Sequence, residues 1–282
     1  PDHEGQPAEL GAGPAYGYTT LDSIRAASST ASGTGVSSSS KVALMGYGGG
    51  GTASEWASEL AGLYAPAVAS RLVGTAIGGA MVDPGHALRY VEGSATWASV
   101  EPMLLSGIAR AFSVDLSPYL STNGTNVMTA LASASLATAK GTNAGLTWSQ
   151  IAKSQYTSPE MIKPYVKAVN QLTMGFNGKP LAPMYIGHGT GGNVDGTPQY
   201  GTYGNGDGIS PAGDARTLAR TYCDKGASIK YEEYTTPHLT AAGSWLQAAY
   251  PWVVDRFDGV KAPTSCGTIA AGNSLAPLAW VL

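Results

Sequence analysis

Residues 42–51 read V-A-L-M-G-Y-G-G-G-G, and this stretch leaves the backbone few choices. The apolar run predicts a buried strand, and the glycines predict a turn too tight for side chains. Behind them, Ser54–Leu63 carries Trp56, Leu60 and Leu63 at helical spacing. Strand, sharp turn and helix form the frame of a nucleophile elbow, Gly-x-Ser-x-Gly. Here the nucleophile's position is Gly48, and glycine has no atom that attacks a carbonyl. The turn therefore predicts an acyl-transfer scaffold without its serine. A phosphate loop is the weaker reading, because T-A-S-E follows Gly51 where such a loop needs Lys-Ser/Thr.

The rest of the chain fits an α/β layout. A helix is expected over 14–28, a Ser/Gly/Thr-rich loop over 29–40, and strands over Lys41–Met45 and Arg71–Ile77. From Asp83 to about Met174 the apolar positions recur at helical spacing with no convincing strand, which predicts a helical cap. Further strands are expected at Ala182–Gly187 and Ser228–Tyr234, flanking a long Gly-rich loop over 189–208 and a helix over Ala212–Tyr222. Leu239–Phe257 is expected to be helical and broken near Pro251, and 258–282 to be an irregular tail. Strands alternating with helices imply a parallel sheet. The expected division is a core over 1–82, a cap over 83–174 and a second core part over 175–282. Four strands are few for a sheet covered on both faces. The chain starts at Pro1, with P-D-H-E-G reading as a loop after a strand, so upstream strands are expected, in the same polypeptide or as a separate segment.

Composition narrows the partners. The net charge is -3 and the 16 Lys and Arg are scattered, which argues against nucleic acid. No apolar run is long enough to span a membrane. Cys223 and Cys266 are compatible with one disulfide or with two buried thiols. His3 and Glu4 are adjacent rather than spaced as ligands, and no His/Cys cluster predicts a metal. Acyl transfer needs no cofactor.

A serine-type site runs in the order nucleophile, acid, base. Among His3, His86, His188 and His238, the base is expected at His238, in T-T-P-H-L-T after the last strand. His188, ending a strand, is expected to pack or hydrogen-bond nearby. Asp195, Asp207 and Asp214 are the candidate acids, with Asp207 preferred because it lies just before the next helical segment. The backbone N–H of Gly49 is the expected oxyanion donor.

Several separated motifs resemble the secretory lipase family: P-D-H-E-G at 1–5, G-Y-G-G-G at 46–50, L-Y-A-P after the elbow helix, H-G-T from His188, H-L-T at 238–240, F-D-G at 257–259 and C-G-T at 266–268. The resemblance spans nearly the whole chain. It implies an α/β-hydrolase fold, secretion, a cap over an acyl pocket, a Cys223–Cys266 disulfide and hydrolysis of carboxylic esters. It places Gly48, Asp207 and His238 at the family's serine, acid and base. The chain is expected to depart from the family in Gly48, in lacking the family's N-terminal region with its first strands and second oxyanion donor, and in a long loop over 189–206. That loop is expected to bring Tyr200 and Tyr203 to the site edge, with Tyr47 beside the elbow. The implied function is a lipase- or esterase-type ester hydrolase, inactive as written. The alternatives are an acyltransferase on the same scaffold, or a natural non-catalytic protein that binds an acyl or ester ligand.

Overall fold

The computed structural model describes residues 8–198 and 201–282. The elements follow the chain as α1 (Gly13–Ser29), β1 (Val42–Tyr47), α2 (Gly49–Tyr64) and β2 (Leu72–Gly78). Four principal helices come next, α3 (Pro84–Tyr90), α4 (Val100–Ala111), α5 (Thr122–Leu131) and α6 (Lys163–Val169). The chain then returns through β3 (Met184–Gly189), α7 (Ala212–Asp224), β4 (Ile229–Tyr234) and α8 (His238–Phe257). The four strands form one parallel sheet in the order β1-β2-β3-β4.

Side chains alternate across the pleat, so each strand feeds two layers. Leu44, Ile77, Met184 and Ile186 pack with Trp56 and Leu60 of α2 and Leu218 and Tyr222 of α7. Ala76 and Tyr185 face Trp245, Ala249 and Trp252 of α8. Between β2 and β3 the chain builds a third apolar cluster of its own, around Trp97, Leu104, Trp148 and Tyr165. Met174 N–H donates to the Val82 carbonyl at 3.0 Å and Thr173 Oγ1 to Asp83 Oδ2 at 3.0 Å, closing the neck of that segment.

Two helices differ from the sequence expectation. The elbow helix starts at Gly49 rather than near Ser54, because the close approach of backbone at Gly46 and Gly51 requires glycine there and overrides its poor helix propensity. A Cβ on Gly46 would stand 2.1 Å from the Gly50 carbonyl oxygen, so that crossing of strand and helix admits only glycine. The terminal helix runs unbroken through Pro251. Proline there removes one helical hydrogen bond, but Trp245 and Ala249 before it and Trp252 and Val253 after it are all packed against the sheet.

The tail over 258–282 has no regular secondary structure and is held at several points. Cys223 and Cys266 form a disulfide. Its separation of 43 residues corresponds to about 4 kcal/mol of stabilisation on the chain-entropy estimate. Asn273 Nδ2 donates to Asp214 Oδ1 at 2.8 Å, and Leu278 N–H to Asn170 Oδ1 at 2.8 Å. Among the described residues no helix is long and apolar enough to cross a membrane.

Glu55 and Glu59 lie one turn apart on α2, fully buried against Tyr222. Glu59 accepts N–H bonds from Gly175 at 2.8 Å and Asn177 at 2.5 Å, and both carboxyls meet the Tyr222 hydroxyl. Burial first, and the Glu59 charge second, push the Glu55 carboxyl well above its ordinary 4.5. Folded Glu55 thus keeps a proton that the unfolded chain releases, so stability falls as pH rises above about 4.5. Glu55→Gln preserves the shape and removes this titration. Its melting temperature is expected to gain on the parent steadily from pH 5 to pH 8; parallel curves would rule this out.

Candidate active site

The elbow is the meeting point of β1 and α2. Gly48 has φ 56° and ψ -122°, a left-handed conformation that glycine adopts without strain. Its N–H donates to the Gly78 carbonyl at 2.8 Å and its carbonyl accepts from Thr52 N–H at 2.9 Å. The N–H groups of a helix's first turn have no intrahelical acceptor. Here that turn begins at Gly49, which is exposed and lines the cavity over the elbow.

Asp207 and His238 come together across the sheet's C-terminal edge. The Asp207 carboxylate is completely buried. Its Oδ1 accepts N–H bonds from Ile209 and Ser210, both at 2.9 Å, and its Oδ2 is hydrogen-bonded to His238 Nδ1. The His238 N–H donates to the Asp207 carbonyl at 2.7 Å, so backbone and side chain fix the pair jointly. Burial alone would raise the Asp207 pKa. The nearby His238 and His188, with hydrogen bonds from His238 and Ser210, outweigh it and bring the pKa down from 3.8 to about 2. Asp207 is thus ionised at any ordinary pH. With Nδ1 committed to a carboxylate, His238 keeps its Nε2 lone pair for an incoming proton.

Nε2 faces the elbow. An ideal Cβ built on Gly48 stands 3.2 Å from it. Beneath, the Tyr47 hydroxyl donates to the His238 carbonyl at 2.7 Å, and the two rings lie 4.9 Å apart. Burial drives the Tyr47 phenol far above its usual range, so it acts as a neutral donor. Gly48 and His238 line a cavity of about 50 Å³. Its walls are mostly apolar and include Trp56, Met81, Leu136, Leu172 and Ile209.

The chain matches the sequence model of the secretory lipases over residues 1–265. The chain belongs to the secretory lipase family. It is 32% identical over 267 residues to a trichothecene C-3 esterase of Fusarium sporotrichioides, covering 91% of this chain and 56% of that protein. It is 30% identical over 283 residues to lipase 6 of Candida albicans, covering 98% and 59%. Candida antarctica lipase A in its closed state superposes with a TM-score of 0.75 at 25% identity, over 96% of this chain and 60% of that one. The chain thus spans less than two thirds of these relatives' length. The fold is that of an α/β-hydrolase, and the relatives are named as lipases and esterases.

Within this family frame the other candidates hold different places. His188 lies behind Asp207, with Nε2 3.1 Å from the Ser210 carbonyl and 4.0 Å from Asp207 Oδ2. It therefore braces the acid rather than lining the cavity. Asp214 pairs with His86 at 3.1 Å, a buried link between α7 and α3. Tyr203 stacks on that His86 ring at 4.2 Å instead of reaching the elbow. Its neighbour Tyr200, and His3 with the P-D-H-E-G segment, lie outside the described residues.

Asp195 holds the segment between β2 and β3. Its Oδ2 accepts from Trp97 Nε1 at 2.8 Å, and the Trp97 ring stands edge-on to His238 at 6.1 Å. Thr197 Oγ1 bridges Ser94 Oγ and the Gly208 carbonyl, both at 2.8 Å. This loop thus ties residues 94–97 to the turn that carries Asp207. The tie was not readable in the sequence, where Trp97 and Asp195 are 98 positions apart. Asp195→Ala leaves a buried indole N–H unpaired. It is expected to cost about 1–3 kcal/mol and to speed amide exchange at both 94–97 and 207–210. Faster exchange confined to residues next to 195 would show that the loop couples nothing.

Proposed function

We propose that this chain carries the site of a carboxylic ester hydrolase of the Ser-Asp-His type, disarmed at its nucleophile. The observation that carries this reading is the Asp207–His238 pair aimed at the position where a Gly48 side chain would stand. In the serine form, His238 Nε2 takes the hydroxyl proton as oxygen attacks the ester carbonyl. Asp207 holds the imidazole in its Nδ1–H tautomer and stabilises the imidazolium. The Gly49 N–H donates to the developing oxyanion, and the acyl group lies against Trp56, Met81 and Leu172. His238 then returns the proton to the leaving alcohol.

With Gly48 in place no acyl-enzyme forms, and the chain binds its ester with little turnover. The relatives are named for a trichothecene ester and as lipases, so ester chemistry is the shared element. The small volume of the cavity, about 50 Å³, favours a short acyl chain. A disulfide persists in an oxidising compartment, which supports secretion.

The test is hydrolysis of p-nitrophenyl esters of rising chain length by the chain and by Gly48→Ser. Turnover only in the serine form, strongest on short chains, is expected. A folded but inactive Gly48→Ser would count against the hydrolase reading.

A further inference from the structure

A second cavity, of about 530 Å³, lies at the opposite end of the sheet from His238. Lys41, Val73, Pro183 and Ser228 line it, each at or just before the start of a strand, and Arg256 and Lys261 join them from the end of α8 and the tail. Arg256 is 4% exposed, yet its Nε, Nη1 and Nη2 make no hydrogen bond among the described residues. The half-exposed Asp255 carboxylate, 4.0 Å from Nη2, is too distant to accept one. The guanidinium lies over the Trp252 ring at 4.9 Å, a contact that uses its face and leaves its N–H edge free. Trp252 Nε1–H is likewise unpaired among the described residues. Capping α8 does not engage the guanidinium either. The carbonyls of Val254, Asp255, Arg256 and Phe257 already accept from Asp258, Val260, Gly259 and Lys41.

We propose that this cavity binds a phosphate group, with Arg256 as its inner wall and Lys41 and Lys261 at its mouth. A buried charge calls for an opposite charge, and an unpaired buried polar group calls for an ion or water. Every unpaired group here is a donor, so the missing partner is an acceptor. The described lining holds three cations and no acid. That balance suits phosphate, which is close to dianionic at neutral pH, better than a carboxylate. The planar guanidinium bonds two phosphate oxygens at once. Lys41 Nζ keeps donors to spare beyond its 2.7 Å bond to the Phe257 carbonyl. Substrates of parallel α/β sheets gather at the C-terminal ends of the strands, and this cavity is at their N-terminal ends. Its ligand therefore takes no part in ester chemistry. It ties the start of β1 to the end of α8 and the first residues of the tail, and so acts on stability.

The test is calorimetric titration and thermal melting of the full chain with inorganic phosphate, at an ionic strength held constant with chloride. A saturable heat is expected, with a melting temperature that climbs with the logarithm of phosphate concentration. Arg256→Met keeps a long apolar stem and removes the unpaired charge. Without phosphate it is expected to melt above the parent. With phosphate the order reverses, because the variant loses about thirtyfold or more in affinity. Lys261→Met, on the exposed rim, is expected to fold like the parent and to bind phosphate several-fold more weakly. Tighter binding of glycerol 3-phosphate than of inorganic phosphate would assign the site to phosphomonoesters, and the reverse to the free ion. A melting shift that chloride alone reproduces, or equal phosphate affinity in Arg256→Met and the parent, would overturn the proposal. Should Arg256→Met not fold, unchanged affinity in Lys261→Met overturns it instead.

Discussion

Introducing serine at Gly48 is expected to raise kcat/KM for a short p-nitrophenyl ester by at least about 10⁴-fold, since removing such a nucleophile costs up to about 10⁶ in kcat. The gain is this large because the partner groups are already assembled. His238 Nε2 stands 3.2 Å from the Cβ position, and its other nitrogen is held by a buried carboxylate. The same substitution is expected to lower stability. A residue with a side chain at φ 56° carries strain of about 1–3 kcal/mol, and its Cβ must push His238 by a few tenths of an ångström. Gly48→Ser should therefore melt below the parent while turning over ester. A serine form that melts distinctly higher would show that the elbow is not strained.

In the Gly48→Ser background, Asp207→Asn is expected to reduce kcat by about 10⁴ with little change in KM. Asparagine keeps the size of the side chain. Its amide, however, turns a donor either toward the Ile209 and Ser210 N–H groups or toward His238 Nδ1. In the second arrangement His238 is forced into the tautomer with its proton on Nε2, where it no longer accepts one. A raised KM with kcat intact would instead assign Asp207 to substrate binding.

The carboxylate also contributes to folding. Its folded pKa of about 2 lies below the ordinary 3.8, which corresponds to about 2 kcal/mol. Because the folded value is depressed, this stability is fully present above about pH 4 and is lost as pH falls toward 2. Asp207→Asn should remove that part of the acid transition. A melting profile between pH 5 and pH 2 that is unchanged by the substitution would contradict it.

The elements most legible in the sequence were those governed by local rules. β1, β2, β3 and β4 fall within two residues of the apolar runs that predict them. The Gly-x-Gly-x-Gly turn announced the elbow because only glycine survives a 2.1 Å approach of a would-be Cβ to backbone. The terminal helix was misread at Pro251 for the opposite reason. Proline's missing hydrogen bond is a local signal, and four packed residues on the sheet side overrode it. The buried Glu55–Glu59 pair left only a faint trace, two acids four residues apart on an otherwise uncharged helix.

The candidate site divides the same way. The amino-acid order by itself specified the elbow, the glycine at its centre and the histidine after the last strand. Each depends on steric demands or on a position relative to one element. Three aspartates with similar surroundings followed β3, and order alone gave only a preference among them. The tertiary structure sent Asp207 to His238, Asp214 to His86 and Asp195 to Trp97, across separations of 31, 128 and 98 residues. Such pairings depend on the paths loops take through a folded core, where a buried carboxylate must find a donor or lose its charge. Residue types name the candidates, and the packing of the whole chain assigns their partners.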